Sequence, residues 1–282
     1  MKNSKLYLGY GGHCFAKAKH VVKNDPNKEI KFHALFGLIQ HEEKGWVLFD
    51  TAYTNRFFEA TKSYPNKIYA KLTKVFIDTS DHVSNQIRNF GIEPDQVEHI
   101  IISHFHADHI GGLKDFKNAK FYCSKIAYQH MTKTNKFTAF TKGILHDLIP
   151  DNFSRKVIFI EDYARKIKDD DFGHRYDLFN DQSIYTYDLP GHAAGQIGIQ
   201  VQTKKDNYFL IADACWDQRA FKDEALPSKI VKLFFDSWQD YILSIDKISK
   251  FHIKYPKTII VPTHCKSTTD KLISRNFDLD AL

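Results

Sequence analysis

The sequence lacks any CxxC pair; its four cysteines, Cys14, Cys123, Cys215 and Cys265, lie far apart. This spacing speaks against a disulfide framework and makes a reduced, cytoplasmic setting the default expectation. Long apolar runs are also missing. None follows Met1-Lys2-Asn3-Ser4-Lys5 in the manner of a secretory leader, and none is long enough to span a bilayer, so no membrane partner is expected. There is no internal repeat and no low-complexity linker, so the 282 residues, 43% of them hydrophobic, read as a single domain over 1–282 with ample material for a core. Nor is there an arginine-rich stripe. The net charge of +6 is spread along the chain, and no nucleic-acid partner is expected.

What is present is a series of short apolar runs separated by helical patterns. Lys5–Tyr10, Ile30–Gln40 and Trp46–Phe49 read as strands, the last ending in Asp50-Thr51. A lysine-rich stretch carrying Phe57, Phe58, Tyr64, Tyr69, Leu72 and Phe76 then reads as helical, broken at Pro65. Asp81–Phe90 is a clearer helix, with Val83, Ile87 and Phe90 on one face and Gly91 placed to cap it. Val97–Ser103 reads as a buried strand, Lys120–Cys123 as another, with a helix from Ser124. Loops and short helices are expected over 131–182. Strands return at Ser183–Tyr187, Ile197–Gln202 and Tyr208–Ala212. A long helix is expected after Pro227, with Ile230, Phe234, Trp238, Tyr241, Ile245 and Ile248 on its apolar stripe, and Thr258–Val261 is the last strand. Helices set between groups of strands in both halves predict a layered sandwich.

The strongest local signal is Ser103-His104-Phe105-His106-Ala107-Asp108-His109-Ile110-Gly111-Gly112. Alternation after a strand sends His104 and His106 to one side, and a turn lets Asp108 and His109 face a second position nearby. Imidazoles and carboxylates suit zinc and other borderline divalent metals, and the two glycines allow the backbone to fold tightly beneath them. Four such groups within six residues point to metal binding more than to a polar loop. His192, Asp213 and His264 repeat the design, each just after a predicted strand. An acid ending an apolar run, as Asp213 does, is costly to bury unless it meets a cation or hydrogen-bond donors. Cys215 and Cys265 point away from these neighbours and are expected in the core.

This ordered set resembles the metallo-β-lactamase superfamily along essentially the whole chain. The resemblance implies an α+β fold, a four-layer αβ/βα sandwich, with an N-terminal helical insertion at about 54–91. It implies two divalent metal ions, zinc first among them. One would be held by His104, His106 and His192, the other by Asp108, His109 and His264, with Asp213 bridging. Asp50 matches the family's early aspartate, which supports the ligand loop without binding metal.

Within the family, the aromatic, helical stretch before His104 is similar to the N-acyl homoserine lactonase branch, the quorum-quenching lactonases. Only eighteen residues follow His264, too few for the C-terminal extension of glyoxalase II, although that thioesterase shares the same ligand types. No basic arm resembling that of the phosphodiesterase nucleases is found. The implied reaction is opening of a lactone ring by a hydroxide shared between the metals, with Asp108 passing the proton to the leaving alkoxide. Thioesters, aryl esters and, further off, phosphodiesters are the alternative substrates. Known lactonases carry tyrosine three residues after the bridging acid, whereas this chain has Trp216, either a hydrogen-bond donor to substrate or an apolar wall. Phe57, Phe58, Tyr64, Phe137 and Phe140 are candidates for lining an acyl groove. Residues 55–78 either cap the site or form a face for a homodimer.

Overall fold

The computed structural model describes residues 4–276. Its first sheet contains β1 (Lys5–Lys17), β2 (Glu29–His41), β3 (Gly45–Phe49), β4 (Val75–Phe76), β5 (Val97–Ile101), β6 (Lys120–Cys123) and β7 (Val157–Phe159), in the spatial order β4-β1-β2-β3-β5-β6-β7. The second contains β8 (Arg165–Asp169), β9 (Gly173–Asp177), β10 (Ile184–Asp188), β11 (Ile197–Gln202), β12 (Asn207–Ala212) and β13 (Ile259–Pro262), in the order β13-β12-β11-β10-β9-β8. Strands β3, β5, β6 and β7 run parallel, as do β12 and β13; the remaining neighbours are antiparallel.

Alternation along the strands creates the layers. Val47 and Phe49 of β3 enter one core with Ile101, Ile199, Leu210 and Val261, so this core lies between the two sheets. Leu48, one residue out of phase, joins Ile100, Val83, Ile87 and Met131 beneath helices on the outer face of the first sheet. Phe209 and Ile211 of β12 likewise point outward to Tyr241, Ile245 and Ile248 of the helix Trp238–Lys254. Helix, sheet, sheet and helix follow in order, the four-layer α+β sandwich that the resemblance implied. No helix among the described residues is long and apolar enough to cross a membrane.

Three differences from the sequence reading have physical causes. The long helix starts at Trp238 and not after Pro227; before it lies a short 3₁₀ turn, Lys229–Leu233. The chain breaks there because the N–H groups of Asp236 and Ser237 donate to the carbonyls of His192 and Gly191 at 3.2 and 3.0 Å, and Ser237 then caps the helix through Asp240 N–H. Within 131–182 the structure contains β7, β8 and β9. β8 is an edge strand of sequence Arg-Lys-Ile-Lys-Asp, too polar on both faces to announce itself. Finally, residues 54–91 hold three short helices, Arg56–Ala60, Lys67–Leu72 and Val83–Arg88, while Val75 and Phe76 pair with Cys14 and His13 on β1. Phe76 therefore lies in a strand, not on a helical stripe.

The candidate metal site

β3 and β5 run parallel in the first sheet, β10, β12 and β13 share one direction in the second, and the loops leaving these five strands carry Asp50, His104, His192, Asp213 and His264. The β5 loop continues through His106 into the short helix Ala107–Ile110, which presents Asp108 and His109. Behind it, Gly111 and Gly112 press on the main chain of the β3 loop. A β-carbon on either would lie 2.6 Å from the Ala52 carbonyl or 2.7 Å from that of Thr51. Only glycine permits this approach.

Seven side chains converge in two groups: His104, His106 and His192 in one, Asp108, His109, Asp213 and His264 in the other, with the potential ligand atoms of each group within 4.8 Å of one another. Asp213 faces both. Its Oδ2 lies 3.3 Å from His192 Nε2 and 3.1 Å from His264 Nε2, and its Oδ1 lies 3.4 Å from His109 Nε2. Asp108 Oδ2 closes the second group at 3.4 Å from His264 and 3.6 Å from His109.

Around the groups stand the partners that aim them. Asp50, with a positive φ of 59°, accepts from Ser103 N–H at 2.8 Å and Ser103 Oγ at 2.7 Å, and binds His109 Nδ1 at 2.7 Å. His264 Nδ1 bonds the His33 carbonyl at 2.9 Å, and its ring stacks on Phe32. In both histidines the second nitrogen is thus anchored, so Nε2 is the atom turned to the cluster. Neither Ser103 nor His33 was singled out in the sequence; Ser103, directly before the first histidine, was the legible one of the two.

Electrostatics divides the cluster. Burial, reinforced by the neighbouring rings, holds His104 well below the ordinary imidazole value, and burial brings His106 to about 4 and His192 to about 3. These three are neutral donors. Burial opposes charge on His109 and His264 too, but the surrounding carboxylates overcome it, lifting His109 well above its usual value and His264 to about 9. Burial alone would raise Asp108, yet His109 and His264 hold it at about 2. Protons on the two rings thus balance the buried carboxylates, the place a cation would take.

The residues fit divalent metal. His104 Nε2, His109 Nε2 and Asp213 Oδ1 are buried inside the cluster without a hydrogen-bond partner in the protein, a state that costs about 1–3 kcal/mol per group. His106 Nδ1 and His192 Nε2 converge on each other at 3.0 Å, within hydrogen-bond distance. Convergent imidazole nitrogens and carboxylate oxygens with open valences are what borderline divalent ions require.

The aromatic candidates fare differently. Phe57 is 1% exposed and enclosed by Tyr53, Phe58 and Tyr69, so it belongs to the core and offers no surface to a substrate. Phe58, Tyr64 and Phe137 are exposed, and Phe140 is half-buried. None of the five lines the small cavity of about 20 Å³ beside His106 and His192, which is bordered by Phe105, Ala127, Ile144 and Phe234 and by the polar side chains of His130, Lys142 and Asp236. Trp216 does border the cluster, in edge contact with His192 and Phe235, and its indole N–H donates to Asp213 Oδ2 at 3.1 Å. Cys215 and Cys265 are buried, as expected.

A family model described as the metallo-beta-lactamase superfamily matches residues 32–264. The N-acyl homoserine lactonase AttM of Azorhizobium caulinodans is 24% identical over 255 residues, which cover 88% of each chain. Among solved structures, an N-acyl homoserine lactone hydrolase with the product N-hexanoyl-L-homoserine at its catalytic metal centre superposes with a TM-score of 0.74 at 20% identity, covering 96% of this chain and 97% of that one. A dizinc quorum-quenching lactonase, AidC, in complex with a product, superposes with a TM-score of 0.65 at 15% identity, covering 95% and 92%.

Proposed function

This chain belongs to the metallo-β-lactamase superfamily, and from that premise we propose that it is a metal-dependent hydrolase that opens the ring of N-acyl homoserine lactones. The observation that carries the reading is Asp213, whose two oxygens face two separate groups of donors. The lactonase relatives, matched along most of their length, support the choice of substrate.

His104, His106 and His192 would hold one ion and Asp108, His109 and His264 the other, with Asp213 between them; zinc is the proposed metal because imidazole and carboxylate donors suit it. When bound, such a pair lowers the pKa of water and polarises a carbonyl. The chain's own part is to orient and to move a proton. Asp108, whose Oδ2 lies at the cluster 3.4 Å from His264 and 3.6 Å from His109, would carry a proton from the attacking water to the leaving alkoxide. Trp216 fixes the carboxylate of Asp213 and, with Phe235, shields His192. Phe105, Ala127, Ile144 and Phe234 put apolar surface on the His106–His192 side, along which an acyl chain would lie in the open and not in an enclosed pocket.

The test is a panel of N-acyl homoserine lactones of graded chain length, set against S-acyl glutathione thioesters and aryl esters. Ring opening should exceed the other reactions by about tenfold or more in kcat/KM. Efficient thioester cleavage without ring opening would overturn the lactonase reading in favour of a glyoxalase II-type thioesterase.

A further inference from the structure

His106 differs from its fellow ligands in how it is held. Its Nδ1 faces His192 Nε2 at 3.0 Å, so the opposite edge of the ring, Cδ2 and Nε2, looks outward. That edge meets the turn Phe140–Ile144, which follows the short helix Lys136–Ala139 and is far from His106 in sequence. The main chain of Lys142 lies close enough to the His106 ring to favour a proton on it, against the larger effect of burial. His106 and Ile144 also form an isolated antiparallel backbone bridge. Between them sits Gly143 with φ of 69° and ψ of 7°, its own N–H donating to the Phe140 carbonyl at 3.2 Å while Ile144 N–H donates to Ala139 at 3.0 Å. A β-carbon on Gly143 would lie 2.7 Å from Cδ2 and 3.0 Å from Nε2 of the His106 ring.

We propose that the Lys142-Gly143-Ile144 turn is the clamp that positions His106 for metal, with Gly143 as the positioning residue on which it depends. The inference rests on the reading of His106 as a ligand. Its chemistry is simple. The Lys142 main chain favours a proton on the outward edge of the ring, which leaves the Nδ1 lone pair free, and the close approach of Gly143 limits the ring's rotation. Both demands fall on Gly143, whose left-handed backbone brings the turn against the ring and leaves no room there for a side chain. His104 has the adjacent Ser103 hydroxyl at 3.0 Å from its Nδ1, and His109 and His264 have Asp50 and the His33 carbonyl. For His106 the equivalent support is supplied by a distant turn.

Gly143→Ala and Gly143→Asn separate the two roles of the glycine. Asparagine tolerates the left-handed backbone far better than alanine, so it spares the turn while still placing a β-carbon against the ring. Gly173→Ala is the control: its φ is 82°, and nothing lies within 4 Å of the added carbon. Elemental analysis and cobalt titration, followed by the visible spectrum of the bound ion, should give two ions per chain for the unaltered protein and for Gly173→Ala. Both Gly143 variants should retain one ion and bind the second about tenfold or more weakly, with the spectrum of one site changed. Wild-type stoichiometry, affinity and spectrum in Gly143→Asn would overturn the clamp, as would an equal loss in Gly173→Ala. Absence of metal from the unaltered protein would instead overturn the ligand reading itself. Thermal unfolding of the chelated forms shows whether a loss of metal reflects the site or a general loss of fold: a deficit confined to metal binding, with chelated Gly143→Asn melting close to Gly173→Ala, supports the clamp.

Discussion

Replacing Asp213 with alanine should lower ring opening by about 10³-fold or more and leave fewer than two ions bound per chain. Among the described residues this is the carboxylate that faces both donor groups, with His109 on one oxygen and His192 and His264 on the other. On the proposed reading its removal would take one ligand from each ion, and it deprives His264 and His109 of the charge they are set against. Asp213→Asn is the sharper variant. The retained side-chain oxygen can still accept from Trp216 and preserve the packing, so the loss of negative charge is isolated from loss of fold. Asparagine should still cost about a hundredfold or more in kcat/KM, measured on a homoserine lactone alongside elemental analysis. Full activity with two ions would remove Asp213 from the bridging role.

The second large effect is expected at Asp50, which is not itself in either donor group. Asp50→Ala should weaken metal binding or activity by about 10–100-fold, the usual consequence of removing the partner behind a ligating histidine. The carboxylate takes both the main-chain and hydroxyl donors of Ser103 and orients the His109 ring. Without it, His109 Nδ1 loses its acceptor inside a fully buried site, and the bond from Asp50 N–H to Ile101 and those of Thr51 with His109 and Gly112 are left to tie the β5 loop to the end of β3. Competition with a chromophoric chelator should show the weaker ion leaving first, from the group containing His109. A variant with a lower melting temperature but unchanged metal affinity would restrict Asp50 to holding the fold.

These expectations were readable in the sequence to different depths. The cluster was legible because its chemistry is local. His104, His106, Asp108 and His109 sit in one loop, and His192, Asp213 and His264 each end a strand whose apolar run is plain. The layers were legible for the same reason: the apolar runs that bury the ends of β5 and β12 and the amphipathic helix Trp238–Lys254 are plain in the sequence. What escaped notice depends on contacts between remote segments. The stripe Ile230–Phe234 has helical spacing, but hydrogen bonds to Gly191 and His192 end that pattern and leave Ile230 and Phe234 exposed. Phe57 and Phe105 are both phenylalanines in apolar settings. Only the fold decides that the first is sealed among aromatic rings while the second borders the cavity at the cluster. Trp216 was recognised as a departure from tyrosine, yet its use, tethering Asp213, follows from a distance that no spacing encodes. Gly143, anonymous in a stretch read as loop, gains meaning once His106 is placed against it.

The central claim is that these seven side chains hold two cations, and metal content tests it most directly. Protein purified without added metal, then loaded with zinc and freed of excess, should contain two ions per chain by elemental analysis. Exhaustive chelation should abolish lactone hydrolysis, and stoichiometric zinc should restore it. A chain that takes up no transition metal, or that hydrolyses its substrate equally well after chelation, would contradict it.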